Sequence, residues 1–130
     1  MERPTGHSQS RPLAGVRVLV VEDDTFILMD LEAVIVDAGA EVVGLCRSVG
    51  EAQSTLDTTR VDVAILDFGV SDGTVAELAH RLTAHGTPFC FYTGQVATDP
   101  RLAAWHDPKI IQKPAQPRAI VDTLATLAGR

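Results

Sequence analysis

Two six-residue runs constrain this chain more than anything else in it. Val16-Arg17-Val18-Leu19-Val20-Val21 and Val61-Asp62-Val63-Ala64-Ile65-Leu66 are apolar and largely β-branched, with one polar residue each. A strand with one wet face alternates polar and apolar residues. A strand without that alternation suits the centre of a parallel sheet, buried on both faces.

The remainder of the chain fits that requirement. Asp24 or Thr25 can cap a helix in which Ile27, Leu31, Val34 and Ala38 recur at helical spacing before Gly39. Glu41 to Leu45 reads as a second strand, and Ser48-x-x-Glu51 as a capping box ahead of a Val49, Ala52, Leu56 stripe. After the third strand, Thr74-x-x-Glu77 opens a helix with stripe Val75, Leu78, Ala79 and Leu82, ended by Gly86. Pro88 to Tyr92 gives a fourth strand, Val96 to Trp105 a helix broken by Asp99-Pro100, and Lys109 to Gln112 a fifth strand. Pro117 fits the first turn of a last helix carrying Ile120, Val121, Leu124 and Leu127. Five strands alternating with five helices predict a doubly wound α/β fold, a five-stranded parallel sheet with helices on both faces and right-handed crossovers.

With 130 residues the chain is one domain: a flexible Pro- and Ser-containing leader over 1–13, then a folded unit over 14–129. Eleven Lys+Arg against 17 Asp+Glu leave a formal charge of −6, which argues against nucleic acid as a partner. No apolar run reaches the 18 or so residues of a membrane span, and no signal peptide is visible, so a cytoplasmic protein is expected. Cys46 and Cys90 stand among apolar residues and are expected to be buried free thiols in a reducing compartment. His7, His80, His85 and His106 read as solvated side chains, and Phe26 and Trp105 as packing residues. Gly69 to Gly73 lacks the length and the lysine of a phosphate-binding loop.

In folds of this class ligands bind beyond the carboxyl ends of the strands. The first strand ends in Glu22-Asp23-Asp24, the third in Asp67, the fourth in Thr93-Gly94 and the fifth in Lys113-Pro114, whereas the second ends in Cys46-Arg47, with no comparable group. Singly, each has an ordinary reading: Asp after a strand is often a turn former or cap, and Asp24 fits that role. Together they bring carboxylates, a hydroxyl and an ammonium to one rim. Crowded carboxylates repel unless they share a proton or a cation, and oxygen ligands of this kind suit Mg²⁺. A divalent ion and Lys113 would neutralise a phosphoryl group, Thr93 would donate to it, and an Asp carboxylate can become an aspartyl phosphate.

Val-Leu-Val-Val-Glu-Asp-Asp at 18–24, Ala-Ile-Leu-Asp-Phe at 64–68, Tyr-Thr-Gly at 92–94 and Gln-Lys-Pro at 112–114 resemble the receiver domain of two-component response regulators, with Asp23 and Asp67 standing 44 positions apart. The segment from Pro88 to Gln95 further resembles the "FAT GUY" subgroup, mostly stand-alone receivers of alphaproteobacteria, with Tyr92 for its Ala and Gln95 for its Tyr. The resemblance implies a (βα)5 flavodoxin-like fold and a phosphoprotein signalling by phosphorelay. By that resemblance it would not be an enzyme in the ordinary sense, since it would catalyse only its own phosphorylation and dephosphorylation. Asp67 would accept a phosphoryl group from a histidine kinase or histidine phosphotransferase. Glu22, Asp23, Asp67 and the Gly69 carbonyl would hold Mg²⁺, Lys113 and Thr93 would meet the phosphoryl group, and the Phe68 and Gly94 amides would complete its cradle.

This chain departs from the family pattern at Ile110, where an aromatic ring usually stands, at Ala115, where Phe usually follows Lys-Pro, and over 68–73, which lacks the common Pro. The leading expectation is a single-domain response regulator that signals to an unknown downstream protein by contact or onward phosphotransfer. The alternative is an unphosphorylated pseudo-receiver that docks partners. A phosphatase with an Asp nucleophile of the haloacid-dehalogenase type would need Asp-x-Asp after a strand, but Thr25 and Gly69 occupy those second positions.

Overall fold

The computed structural model describes residues 11–68, 75–94 and 108–130. Five strands, β1 (Arg17–Val21), β2 (Glu41–Cys46), β3 (Val63–Leu66), β4 (Phe89–Thr93) and β5 (Ile110–Gln112), form one sheet in the order β2-β1-β3-β4-β5, all parallel. Four helices lie among the described residues: α1 (Thr25–Asp37), α2 (Val49–Thr58), α3 (Val75–Ala84) and α4 (Pro117–Leu127). The doubly wound α/β fold expected from the sequence is present. The helix expected over Val96 to Trp105 lies outside the described residues, as do Thr74, Gly69, Gly73, His7 and His106.

The missing alternation of β1 now has its cause. Val18 and Val20 face a core closed by α1 and α4, through Leu28, Leu31, Ile35, Ile120 and Leu124. Leu19 and Val21 face a second core closed by α2 and α3, through Val49, Ala52, Leu78 and Leu82. All four strand residues are essentially inaccessible, so no position between them tolerates a polar side chain.

Helix boundaries follow local chemistry. Asp24 caps α1, its Oδ1 accepting from the N–H groups of Phe26 at 2.9 Å and Ile27 at 3.1 Å. Gly39 follows that helix at φ +100°, a conformation open to glycine at little cost. Ser48 Oγ accepts from Glu51 N–H at 3.1 Å, but Glu51 Oε1 reaches past the cap to the N–H of Arg47 at 2.7 Å. The capping box is therefore displaced by one residue on its return arm.

Three expectations are corrected. Phe26 is 85% exposed and packs against nothing in the core. The buried stripe of α1 runs through Leu28, Leu31, Ile35 and Ala38, leaving Ile27 and Val34 only partly covered. Leu13, read as the end of a leader, is fully buried, and its N–H donates to Ala38 O at 2.9 Å. Cys46 and Cys90 are buried free thiols, as expected, and burial pushes Cys90 up to about 12. No helix among the described residues is long and apolar enough to cross a membrane.

Candidate functional site

The sheet order puts β1 and β3 side by side, so the residues that follow them are neighbours despite their distance in sequence. The ladder continues one residue beyond each strand: Glu22 N–H donates to Cys46 O at 2.9 Å, Asp67 N–H to Val21 O at 2.9 Å, and Lys113 N–H to Thr93 O at 2.8 Å. Each candidate side chain thus springs from a backbone held by the sheet. Glu22, Asp23 and Asp67 offer carboxylate oxygens that all lie within 4.8 Å of one another. Lys113 Nζ sits 2.8 Å from Glu22 Oε1 and 3.3 Å from Asp67 Oδ1. Thr93 is buried at the end of β4 beside them in the sheet order.

The electrostatics of this cluster are unbalanced. Glu22 is 1% exposed. Its Oε2 accepts from Asp24 N–H at 3.2 Å, while Oε1 has the charge contact with Lys113 but no aligned hydrogen bond. Burial pushes the Glu22 carboxyl from its ordinary 4.5 up to about 7; Lys113 opposes that rise and Asp67 adds to it. Burial by itself would lower the Lys113 ammonium, but Glu22 and Asp67 outweigh it and hold its pKa above the ordinary 10.5. One ammonium faces two buried carboxyl groups and a third at the rim.

That deficit of positive charge fits a hard divalent ion. Three carboxylates within reach of one point, two of them buried against a single ammonium, are the donor set that Mg²⁺ takes while keeping several waters. The expected ligand Gly69 lies outside the described residues, while Phe68 and Gly94 follow β3 and β4 at the same rim.

Two contributors were not anticipated. Arg47, at the end of β2, donates through Nη2 to the main-chain oxygen of Asp23 at 3.4 Å, so the second strand also brings a cation to the rim. Tyr92 is buried on the α1 side of β4; Lys113 Nζ stands 5.4 Å from its ring centroid, and its hydroxyl accepts from Ala115 N–H at 3.4 Å. The opposite face holds Phe91, stacked on Phe68 at 4.5 Å and edge-on to Phe89 at 5.5 Å. Ile110 packs against that cluster.

The family model for the response regulator receiver domain matches residues 18–125, a span that begins in β1 and ends in α4. The chain belongs to the response regulator receiver family. Solved structures agree in fold. A CheY-like receiver domain protein from Methanospirillum hungatei JF-1 is 26% identical with a TM-score of 0.77, over 89% of this chain and 95% of that one. Chemotaxis response regulator CheY4 of Vibrio cholerae is 24% identical with a TM-score of 0.74, over 88% and 99%. The response regulator PhyR from Brucella abortus is 24% identical with a TM-score of 0.72; the match covers 95% of this chain but 52% of PhyR, so this receiver spans about half that protein. No curated protein sequence gives a significant match.

Proposed function

We propose that Asp67 of this receiver accepts a phosphoryl group from a phosphohistidine on a histidine kinase or histidine phosphotransferase. A carboxylate oxygen of Asp67 attacks phosphorus, the P–N bond of the donor breaks, and the departing imidazole keeps the bonding pair and takes up a proton. The observation that carries the proposal is the juxtaposition of Asp67 with Lys113 Nζ at 3.3 Å inside a ring of carboxylates. Lys113 would meet a phosphoryl oxygen, and the Thr93 hydroxyl would donate to another; the amides of Phe68 and Gly94 would complete the cradle. Glu22, Asp23, Asp67 and the carbonyl of Gly69 would hold Mg²⁺, which when bound supplies the charge that a phosphoryl group and three carboxylates require.

The same chain is read as a cytoplasmic signalling protein resembling the "FAT GUY" subgroup, with output by protein contact or onward phosphotransfer. Ile110 and Ala115 favour a second reading, a pseudo-receiver that docks partners unphosphorylated. Incubation with acetyl phosphate and Mg²⁺ separates the two. One phosphoryl group appears in the intact mass of the native chain and none in Asp67→Asn. A mass shift that persists in Asp67→Asn sinks the assignment of Asp67, and a native chain that takes up nothing supports the docking module.

A further inference from the structure

Lysine is a poor residue for placing a charge at a fixed point, because its flexible four-carbon stem samples many rotamers. Lys113 is nevertheless held between Glu22 Oε1 and Asp67 Oδ1. Its backbone is fixed by the bond from its N–H to Thr93 O. On the α1 side its stem borders a cavity of about 200 Å³, whose lining includes Tyr92 itself with Ile27, Asp30, Leu31, Ala115 and Ile120. Ala115 is too small to fill it. The wall that does meet the ammonium is the Tyr92 ring, 5.4 Å away at its centroid and 7% exposed. That distance is within the reach of a cation–π attraction. The Tyr92 hydroxyl also accepts from Ala115 N–H at 3.4 Å, two residues beyond the lysine.

We propose that Tyr92 is a positioning residue, whose ring holds the Lys113 ammonium against Glu22 and Asp67 and whose hydroxyl tethers the 113–115 turn. Its consequence for phosphoryl uptake rests on the function proposed for Asp67, whereas the positioning belongs to the metal-free protein. The ring carries most of the effect, since a 3.4 Å hydrogen bond is long and weak. Loss of the hydroxyl alone in Tyr92→Phe therefore costs little, and loss of the ring in Tyr92→Leu costs much.

The chain has two lysines, Lys109 and Lys113, and Lys109 is exposed, which makes it an internal reference. Brief acetylation of the metal-free protein with acetic anhydride, followed by peptide mass spectrometry, gives the ratio of labelling at Lys113 to that at Lys109. Tyr92→Leu raises this ratio about five- to ten-fold, the span of a partly desolvated cation–π contact, and Tyr92→Phe raises it less than about two-fold. Phosphoryl uptake from acetyl phosphate at saturating Mg²⁺ slows by a similar factor in Tyr92→Leu, while the Mg²⁺ Kd of that variant changes less than about two-fold. An unchanged labelling ratio in Tyr92→Leu overturns the proposal, and so does a loss of Mg²⁺ affinity in step with rate, which marks a structural role. Tyr92→Met supplies the same comparison where the leucine variant does not fold. A native chain that takes up no phosphoryl group counts against the role of Asp67 alone, because the labelling ratio still decides the positioning.

Discussion

Raising the pH from 5 to 8 without divalent cations will destabilise this protein, through Glu22. Its carboxyl is pushed from 4.5 to about 7 in the folded state, first by burial. Between those values the folded chain keeps a proton that the unfolded chain has released, so the slope of stability with pH is negative. The contribution is complete below about 4.5 and is lost as pH passes through about 7. A rise of that size corresponds to at most on the order of 3 kcal/mol. Urea denaturation at closely spaced pH values, in EDTA, measures it. Glu22→Gln serves as the reference, because it keeps the shape and removes the titration. The native chain should lose stability relative to Glu22→Gln across this window. Mg²⁺ at a hundred times its Kd should return about 2.7 kcal/mol to the native chain at pH 8. A difference between the two proteins that is flat, or that favours the native chain as pH rises, refutes the electrostatic account of the site.

Other perturbations test the frame around it. Asp24→Ala removes both cap bonds of α1 and should cost about 1 kcal/mol in urea denaturation. Phe91→Ala, at a fully buried ring stacked on Phe68, should cost about 3–5 kcal/mol by the same measurement. Cys90, its thiol raised to about 12 by burial, should react with a thiol reagent at neutral pH only as the protein unfolds, so its labelling rate should follow denaturant concentration.

Much of this architecture was legible because burial on both faces leaves a plain record. Continuous apolar runs marked β1 and β3, and the strand-end rule then led to Glu22, Asp23, Asp67, Thr93 and Lys113 without any geometry. What the chain hides are choices set by tertiary neighbours. Helical spacing permits either Ile27 or Leu28 to face inward, and only the placement of α1 against β1 and β2 decides for Leu28. Phe26 sits on the side of its helix that nothing covers, which no local pattern announces. Arg47 and Tyr92 were missed because their contacts are long-range: Asp23 is 24 residues from the first, and Ala115 is 23 from the second. Leu13 looked like leader because its partner is Ala38, on the far side of a helix.

The opposite charges of the site stand on strands of unequal security. Glu22 and Asp67 follow β1 and β3, each flanked by a hydrogen-bonded strand on both sides, whereas Lys113 follows three-residue β5 at the margin, paired with β4 alone. Local opening in folded proteins starts at such margins, at free energies well below that of global unfolding. An excursion that frees Ile110–Gln112 withdraws the ammonium and leaves the carboxylates in place. The Lys113 amide, bonded to Thr93 O, will then exchange with deuterium sooner than the Asp67 amide, bonded to Val21 O. The cation and the acids of this receiver can part company while the rest of the molecule stays folded.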